Sequence, residues 1–216
     1  MLLGALLRAL LPGCVALRAG AIAAHVGPIW PEEAARVARA ADGRRAEFAA
    51  GRSLARQALA DLGAAPCALP SSPGGAPAWP AGYLGSITHS RDQAAAAVAR
   101  QTDLRALGID LESGLRFKPG MERLVLLPAE IAALPTDDGR ARAATLRFCA
   151  KEAFYKMQYP LTGQRLGFHD AQVDLHPDGS IRLTLLPAVA GWPAGQVFTG
   201  HSAAGDAGNV AAFWLD

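Results

Sequence analysis

Residues 83–112 read YLGSITHSRDQAAAAVARQTDLRALGIDLE, and these thirty residues decide the fold. Three apolar-rich segments, Tyr83–Thr88, Ala94–Arg100 and Leu104–Glu112, are joined by short polar connectors that contain RDQ and QTD. Segments and connectors this short predict strands in an antiparallel meander. Upstream, the pattern from Pro31 to Leu62 is helical with an interruption near Asp42-Gly43, and Gly63 is a C-terminal stop. Between helix and strands lies LPSSPGGAPAWP (69–80), too rich in Pro, Gly and Ser for anything but a loop. Downstream the order recurs. A helical stretch from Arg140 to Gln158 precedes four strand-like segments, Ala171–Leu175, Ile181–Leu186, Gln196–His201 and Val210–Leu215, with a Pro177-Asp178-Gly179 turn between the first two. A helix followed by antiparallel strands, twice, predicts an α+β fold of two similar halves. The join is expected near 101–108, giving an N-terminal half 1–104 and a C-terminal half 105–216, although no residue-level repeat is visible.

Composition narrows the class. With 21 basic and 19 acidic residues the net charge is +2, so any strong field must be local. Hydrophobic residues make up 51% but aromatic ones only 6%, which leaves alanine to fill much of the core. This balance excludes disorder, collagen, coiled coil and a nucleic-acid-binding tail, and no nucleic-acid partner is expected. Three scattered cysteines, 14, 67 and 149, show no metal-ligand spacing and suit a reducing, cytoplasmic compartment. The apolar opening MLLGALLRALLPGCVALRAG is broken by Arg8 and Arg18 and lacks a basic start, so neither a leader nor a membrane span is expected.

Three constellations carry chemistry. In Gly108-Ile109-Asp110-Leu111-Glu112 the strand period puts both carboxylates on one face. They stand about 6.6 Å apart along the backbone, close enough to share a hard cation such as Mg²⁺. The plain alternative is a half-buried strand with a solvated acidic face. In FCAKEAFYK (148–156), Glu152 and Lys156 are four residues apart on one helix face. They make either an ordinary surface pair or a third carboxylate and a phosphate-holding lysine. In RRAEFAAGRSLAR (44–56), Arg45, Arg52 and Arg56 fall within about 40° on a helical projection, an anion site or a solvated basic flank. Between them GSITHS (85–90) brackets His89 with hydroxyls at Ser86, Thr88 and Ser90. No nucleophile elbow, Walker loop or dinucleotide fingerprint is present.

Together, RRAEFAAGRSLARQAL, PAWPAGYLGSITHS, LGIDLE and FCAKEAFYKM resemble the 4′-phosphopantetheinyl transferases, in particular the long pseudo-dimeric type that includes enterobactin synthetase component D. The resemblance runs from about Arg44 to Tyr159. It implies an enzyme that moves the phosphopantetheine arm of coenzyme A onto a serine of an acyl or peptidyl carrier protein and releases 3′,5′-ADP. The single active site would lie in the cleft between the halves of a monomer. Asp110, Glu112 and Glu152 would ligate Mg²⁺, with Glu152 also the base, directly or through water, and Lys156 a phosphate contact. Arg45, Arg52, Arg56, Ser86, Thr88 and His89 would form the coenzyme A site, which Asp110 and Lys156 also reach. The chain departs from the family at Ala76, where a basic residue is usual before the proline, and at Cys149, where serine is usual. The mixed strip Leu115, Arg116, Phe117, Lys118, Met121, Leu124 is expected to contribute to carrier docking, or else to ordinary packing. Rival readings are a Mg²⁺-dependent phosphohydrolase or nuclease, and a non-catalytic coenzyme A or carrier-binding module.

Overall fold

The computed structural model describes residues 2–118 and 120–216. In chain order its elements are α1 (Leu3–Leu10), β1 (Ala16–Ala21), α2 (Ile22–His25), α3 (Pro31–Ala34), α4 (Asp42–Asp61), β2 (Tyr83–Ser90), β3 (Gln93–Arg100), β4 (Ala106–Glu112), α5 (Pro128–Ala132), α6 (Arg140–Thr162), β5 (Ala171–Leu175), β6 (Ser180–Leu185), β7 (Val197–Gly205) and β8 (Gly208–Leu215). They form a three-stranded antiparallel sheet in the order β1-β3-β2 and a five-stranded one in the order β4-β8-β7-β6-β5. This is the α+β architecture expected, with one correction inside the decisive stretch. Only β2 and β3 form the meander; β4 leaves for the second sheet, because β8 pairs with it over its whole length from Ala106 to Glu112. Its place beside β3 is taken by β1, from the opening stretch that carried no strand signal.

Each half runs strand, short proline-led helix, long helix, antiparallel strands, and its last strand returns to pair with its first. The likeness extends to single buried side chains. In the N-terminal half Glu33 accepts from the backbone N–H of Trp30 (3.1 Å) and Leu69 (2.9 Å) and from Arg56 (2.7 Å). In the C-terminal half Glu130 accepts from the N–H of Leu127 (2.6 Å) and Val173 (2.7 Å) and from Lys151 (2.7 Å). Each glutamate caps a Pro-led turn and binds a cation from the long helix. The repeat that primary structure hides is therefore a buried hydrogen-bond network.

Alanine is placed where two layers must approach one strand. On β3, Ala94, Ala96 and Val98 meet α4 residues Ala50, Leu54 and Ala58, while Ala95, Ala97 and Ala99 face the opposite layer. In that layer Leu3, Leu6 and Leu7 of α1 join Ile109, Leu111, Val210 and Ala212 of the second sheet. So α1 is a folded helix that fills the angle between the sheets; Arg8 pins its end to the carbonyls of Leu11, Pro12 and Val15. Burying such side chains is worth about 1.5–3 kcal/mol each for the leucines and far less for alanine. Among the described residues no helix is long and apolar enough to cross a membrane.

β2 and β4 are the facing edges of the two sheets, and among the described residues no backbone ladder joins them. Side chains do so instead: Ser86 Oγ, Thr88 Oγ1 and Ser90 Oγ accept from the N–H groups of Ile109 (3.0 Å), Leu111 (3.4 Å) and Ser113 (3.4 Å). Unpaired edge N–H groups are costly when buried, and the hydroxyls satisfy them. On the other face α6 lies tight over β4, because Gly108 has no side chain. A Cβ there would collide with the carbonyl of Ala153 and the amide of Met157.

Candidate active site

A cavity of about 430 Å³ opens between α4 and α6, above the β2–β4 seam. Its lower wall is acidic. The strand period does place Asp110 and Glu112 on the same side, and α6 brings Glu152 and Lys156 to them. Asp110 is 5% exposed; its Oδ1 accepts from Lys156 Nζ (2.6 Å) and Thr88 Oγ1 (2.8 Å), while Oδ2 is buried, near the Cys149 thiol, and meets no hydrogen-bond partner of good geometry among the described residues. Glu112 accepts from Ser90 Oγ through Oε2, and Arg116 lies 3.8 Å from Oε1. The ordinary Glu152–Lys156 surface pair is not what forms: Lys156 turns to Asp110 and also donates to the Ile109 carbonyl at 3.2 Å. Among the described residues no hydrogen bond or ion pair is found on Glu152.

Crowding has an electrostatic consequence. Burial, and then the charge of Asp110, pushes the pKa of Glu112 up against the Ser90 hydrogen bond. Glu152 is raised by burial and by Asp110 and Glu112, with Lys156 and Arg116 opposing. Cys149, buried beside the same carboxylates, is held firmly as the thiol. An added positive charge would relieve all of this, and a buried carboxylate oxygen without a donor is a ligand in waiting. Among the described residues no three acidic, His or Cys side chains close into a ready-made metal cage. A Mg²⁺ site does not require one, because that ion keeps waters and takes substrate phosphate beside one or two carboxylates. The donor set fits that ion.

The upper wall is basic, but only partly by the arginines expected. Arg52 lines the cavity; it donates to the Leu69 carbonyl (2.6 Å) and Ser71 Oγ (3.1 Å) and lies over the Phe48 ring. Burial and the neighbouring Arg56, Arg44 and Arg36, opposed by Glu33, bring its pKa down to about 10, so it remains charged at neutral pH. Arg45 and Arg56 do not line the cavity. Arg45 donates to the Val37 carbonyl at 2.9 Å, and Arg56 is held by Glu33, by the Pro28 carbonyl (3.1 Å) and over Trp30. The cavity-facing stripe of α4 is Arg44, Glu47, Phe48, Gly51 and Arg52, spaced i, i+3, i+4, i+7, i+8. That spacing was available in the sequence and would have selected Arg44 over Arg45. Arg36, in a 3₁₀ turn at Ala35–Val37, and Arg116 also line the cavity. Nothing local marked Arg36, which arrives from a separate segment.

His89 is the third basic element. Arg44 lies 2.5 Å from its Nε2, and Glu47 is 3.6 Å from Nδ1. Burial is the main cause that lowers the His89 pKa; Arg44 and Lys156 add to it, while Glu47 and Asp110 oppose. The neutral ring, with its proton on Nδ1, agrees with the Arg44 contact, so the Glu47 contact is not an ion pair at neutral pH. Thr88 reaches the first cavity. Ser86 lines instead an adjoining one of about 550 Å³, which shares Arg36, Gly75, Pro77, Ile87, Glu152 and Lys156 and adds Trp79, Tyr155 and Tyr159. The cleft therefore passes from a charged chamber to an aromatic one.

Two family models cover most of the chain: the 4′-phosphopantetheinyl transferase N-terminal domain at residues 31–99 and the 4′-phosphopantetheinyl transferase superfamily at 106–204. The chain is 41% identical over 187 residues to 4′-phosphopantetheinyl transferase Svp of Streptomyces mobaraensis, covering 84% of this chain and 76% of that protein. It is 42% identical over 151 residues to 4′-phosphopantetheinyl transferase Npt of Nocardia iowensis, covering 69% and 68%. Enterobactin synthase component D of Salmonella typhimurium is more distant, 31% identical over 175 residues, covering 75% and 68%. With two matched halves around one charged cleft, the chain belongs to the 4′-phosphopantetheinyl transferase superfamily and is a transferase of the phosphopantetheine group to carrier proteins.

Proposed function

We propose that the chain, as a cytoplasmic monomer with halves 1–104 and 105–216, takes 4′-phosphopantetheine from coenzyme A and releases 3′,5′-ADP, with the cleft between the halves as its active site. The observation that carries this reading is the cleft itself, cationic on one wall, tri-carboxylate on the other, with a buried unpartnered Asp110 oxygen between. Coenzyme A has a matching distribution of chemistry. Its 3′-phosphate suits Arg44, Arg52, Arg36 and His89, its pyrophosphate suits Lys156 and the carboxylate side, and its pantetheine arm suits the aromatic chamber. Arg36, beside Gly75 and Pro77, offers positive charge next to Ala76, where the family's usual basic residue is lacking. Asp110, Glu112 and Glu152 would hold Mg²⁺, which when bound would neutralise pyrophosphate charge.

The residues of the chain do the rest. The carrier serine oxygen attacks the phosphorus that bears the pantetheine arm, and the bond from that phosphorus to the bridging oxygen breaks. The electron pair leaves with 3′,5′-ADP, and the serine proton passes to Glu152, directly or through one water. Its raised pKa makes Glu152 a stronger base than a solvated carboxylate. Lys156 places a positive charge beside the departing phosphate, and alignment by both walls supplies most of the acceleration. Leu115, Met121 and Leu124 are 52%, 43% and 59% exposed, and with Arg116 next to Leu115 they suit an acidic carrier with an apolar contact. Phe117 is not in that strip; it packs edge-on against Phe148 at 6.1 Å.

The test is mass spectrometry of an apo carrier incubated with the chain, coenzyme A and Mg²⁺. Addition of one phosphopantetheine group to the carrier serine is expected. Phosphate release without that adduct would mean hydrolysis, and binding without turnover would mean a non-catalytic module.

A further inference from the structure

We infer that Thr88 and Ser90 are positioning residues for the carboxylates of Asp110 and Glu112, so that one set of hydroxyls both joins the two halves and sets the reaction centre. This rests on the reading of Asp110 and Glu112 as metal-holding groups. Along β2 and β4 the same arrangement repeats every second residue: a hydroxyl accepts from an N–H of β4, or of Ser113 just after it, and faces the side chain of the residue before that N–H. Thr88 accepts from Leu111 N–H and donates to Asp110 Oδ1 at 2.8 Å. Ser90 accepts from Ser113 N–H and donates to Glu112 Oε2. Ser86 accepts from Ile109 N–H, but the residue before it is Gly108, and there is no carboxylate to receive its proton.

A hydroxyl has one proton to give. Once its oxygen is fixed by the strand N–H, that proton has one direction, and the carboxylate is turned to meet it. At Asp110 the consequence is specific: Thr88 and Lys156 both engage Oδ1, which leaves Oδ2 as the oxygen free for a cation. Thr88 and Ser90 are buried and come from the opposite half of the molecule, so the orientation of both carboxylates depends on how the halves are docked.

Ser86 supplies an internal reference, since it makes the seam bond and no carboxylate bond. The experiment titrates Mn²⁺ into the full chain with coenzyme A present and no carrier, reading free Mn²⁺ by electron paramagnetic resonance, alongside thermal unfolding. Thr88→Val and Ser90→Ala are expected to weaken Mn²⁺ binding by about tenfold, as loss of the partner of a metal-ligating group typically does. Thr88→Ser and Ser90→Thr, which keep the hydroxyl, restore it. Ser86→Ala lowers the unfolding temperature by the worth of a seam bond alone, the amount with which the unfolding of the other two variants is compared. If Thr88→Val does not fold, Ser90→Ala decides, with kcat lowered and KM for coenzyme A unchanged. Wild-type Mn²⁺ affinity in Thr88→Val and Ser90→Ala overturns the inference and leaves the hydroxyls as seam bonds only. A wild type that binds Mn²⁺ no better than Asp110→Asn overturns the metal reading itself, and the inference with it.

Discussion

The two halves repeat each other where they are buried and diverge where they face the cleft. Glu33 with Arg56 and Glu130 with Lys151 occupy the same architectural place, each tying a Pro-led turn to a long helix and to a later segment. On the facing edges, β2 presents hydroxyls and His89 while β4 presents carboxylates. The long helices differ likewise, α4 offering Arg44 and Arg52 and α6 offering Glu152 and Lys156. A common scaffold has been kept, and the charge on its two inner walls has become opposite. The difference teaches that binding and chemistry are divided between halves, and that division can be tested.

The largest expected effect falls on the acidic wall. Glu152→Gln and Asp110→Ala should each lower kcat by about a thousandfold or more, because both base and charge-neutralising ion are at stake. Holo-carrier formation followed by mass spectrometry measures it, and near-normal turnover in both variants would break the division of labour. Next come the two buried glutamates. Glu130→Ala strands Lys151, whose side chain is 3% exposed and which otherwise holds only the Val125 and Phe168 carbonyls; a loss of about 3–5 kcal/mol is expected. Glu33→Ala should cost less, about 2 kcal/mol, since Arg56 is 14% exposed and keeps Pro28 and Trp30. Chemical denaturation gives both values, and the reverse order would show that burial of the stranded cation does not set the cost.

How much of this was legible from residues alone follows physical lines. Period-two alternation places Asp110 and Glu112 on one face, and the long helices announce themselves by length and composition. The departure of β4 to the other sheet was not legible, because alternation fixes faces and says nothing about which neighbour takes the backbone bonds. β1 and α1 were hidden by an opening stretch whose leucines resemble a leader. Arg56 looked free because its partner, Glu33, lies 23 residues earlier in a different element. A charge pattern along one helix cannot show which charges are already neutralised by another.

A smaller effect sharpens the basic wall. Arg44→Ala is expected to raise KM for coenzyme A about tenfold with little change in kcat, as loss of one charged hydrogen bond would. Arg45→Ala should leave that KM near the wild-type value, since its guanidinium is spent on Val37. Steady-state kinetics at fixed carrier concentration separates them.

The smallest is a pH effect without metal. The folded pKa values of Glu112 and Glu152 lie above the unfolded value of about 4.3. The folded chain therefore binds more protons than the unfolded one in that window, and stability falls as pH rises through it. Glu152→Gln removes part of that loss. In chelator, its unfolding temperature should match the wild type near pH 4 and rise above it as the pH is raised to 7.5. A constant gap at all pH values would place the cause elsewhere.

The helix that fills the angle between the sheets has a consequence in time. Leu3, Leu6 and Leu7 leave the ribosome about two hundred residues ahead of Val210 and Ala212, against which they lie. The apolar face of α1 must wait for them, and contacts across so long a separation are the kind that slows folding. The layer between the sheets closes only once β8 is made, so a nascent chain already holding α4 and its alanine-rich sheet still lacks a competent cleft.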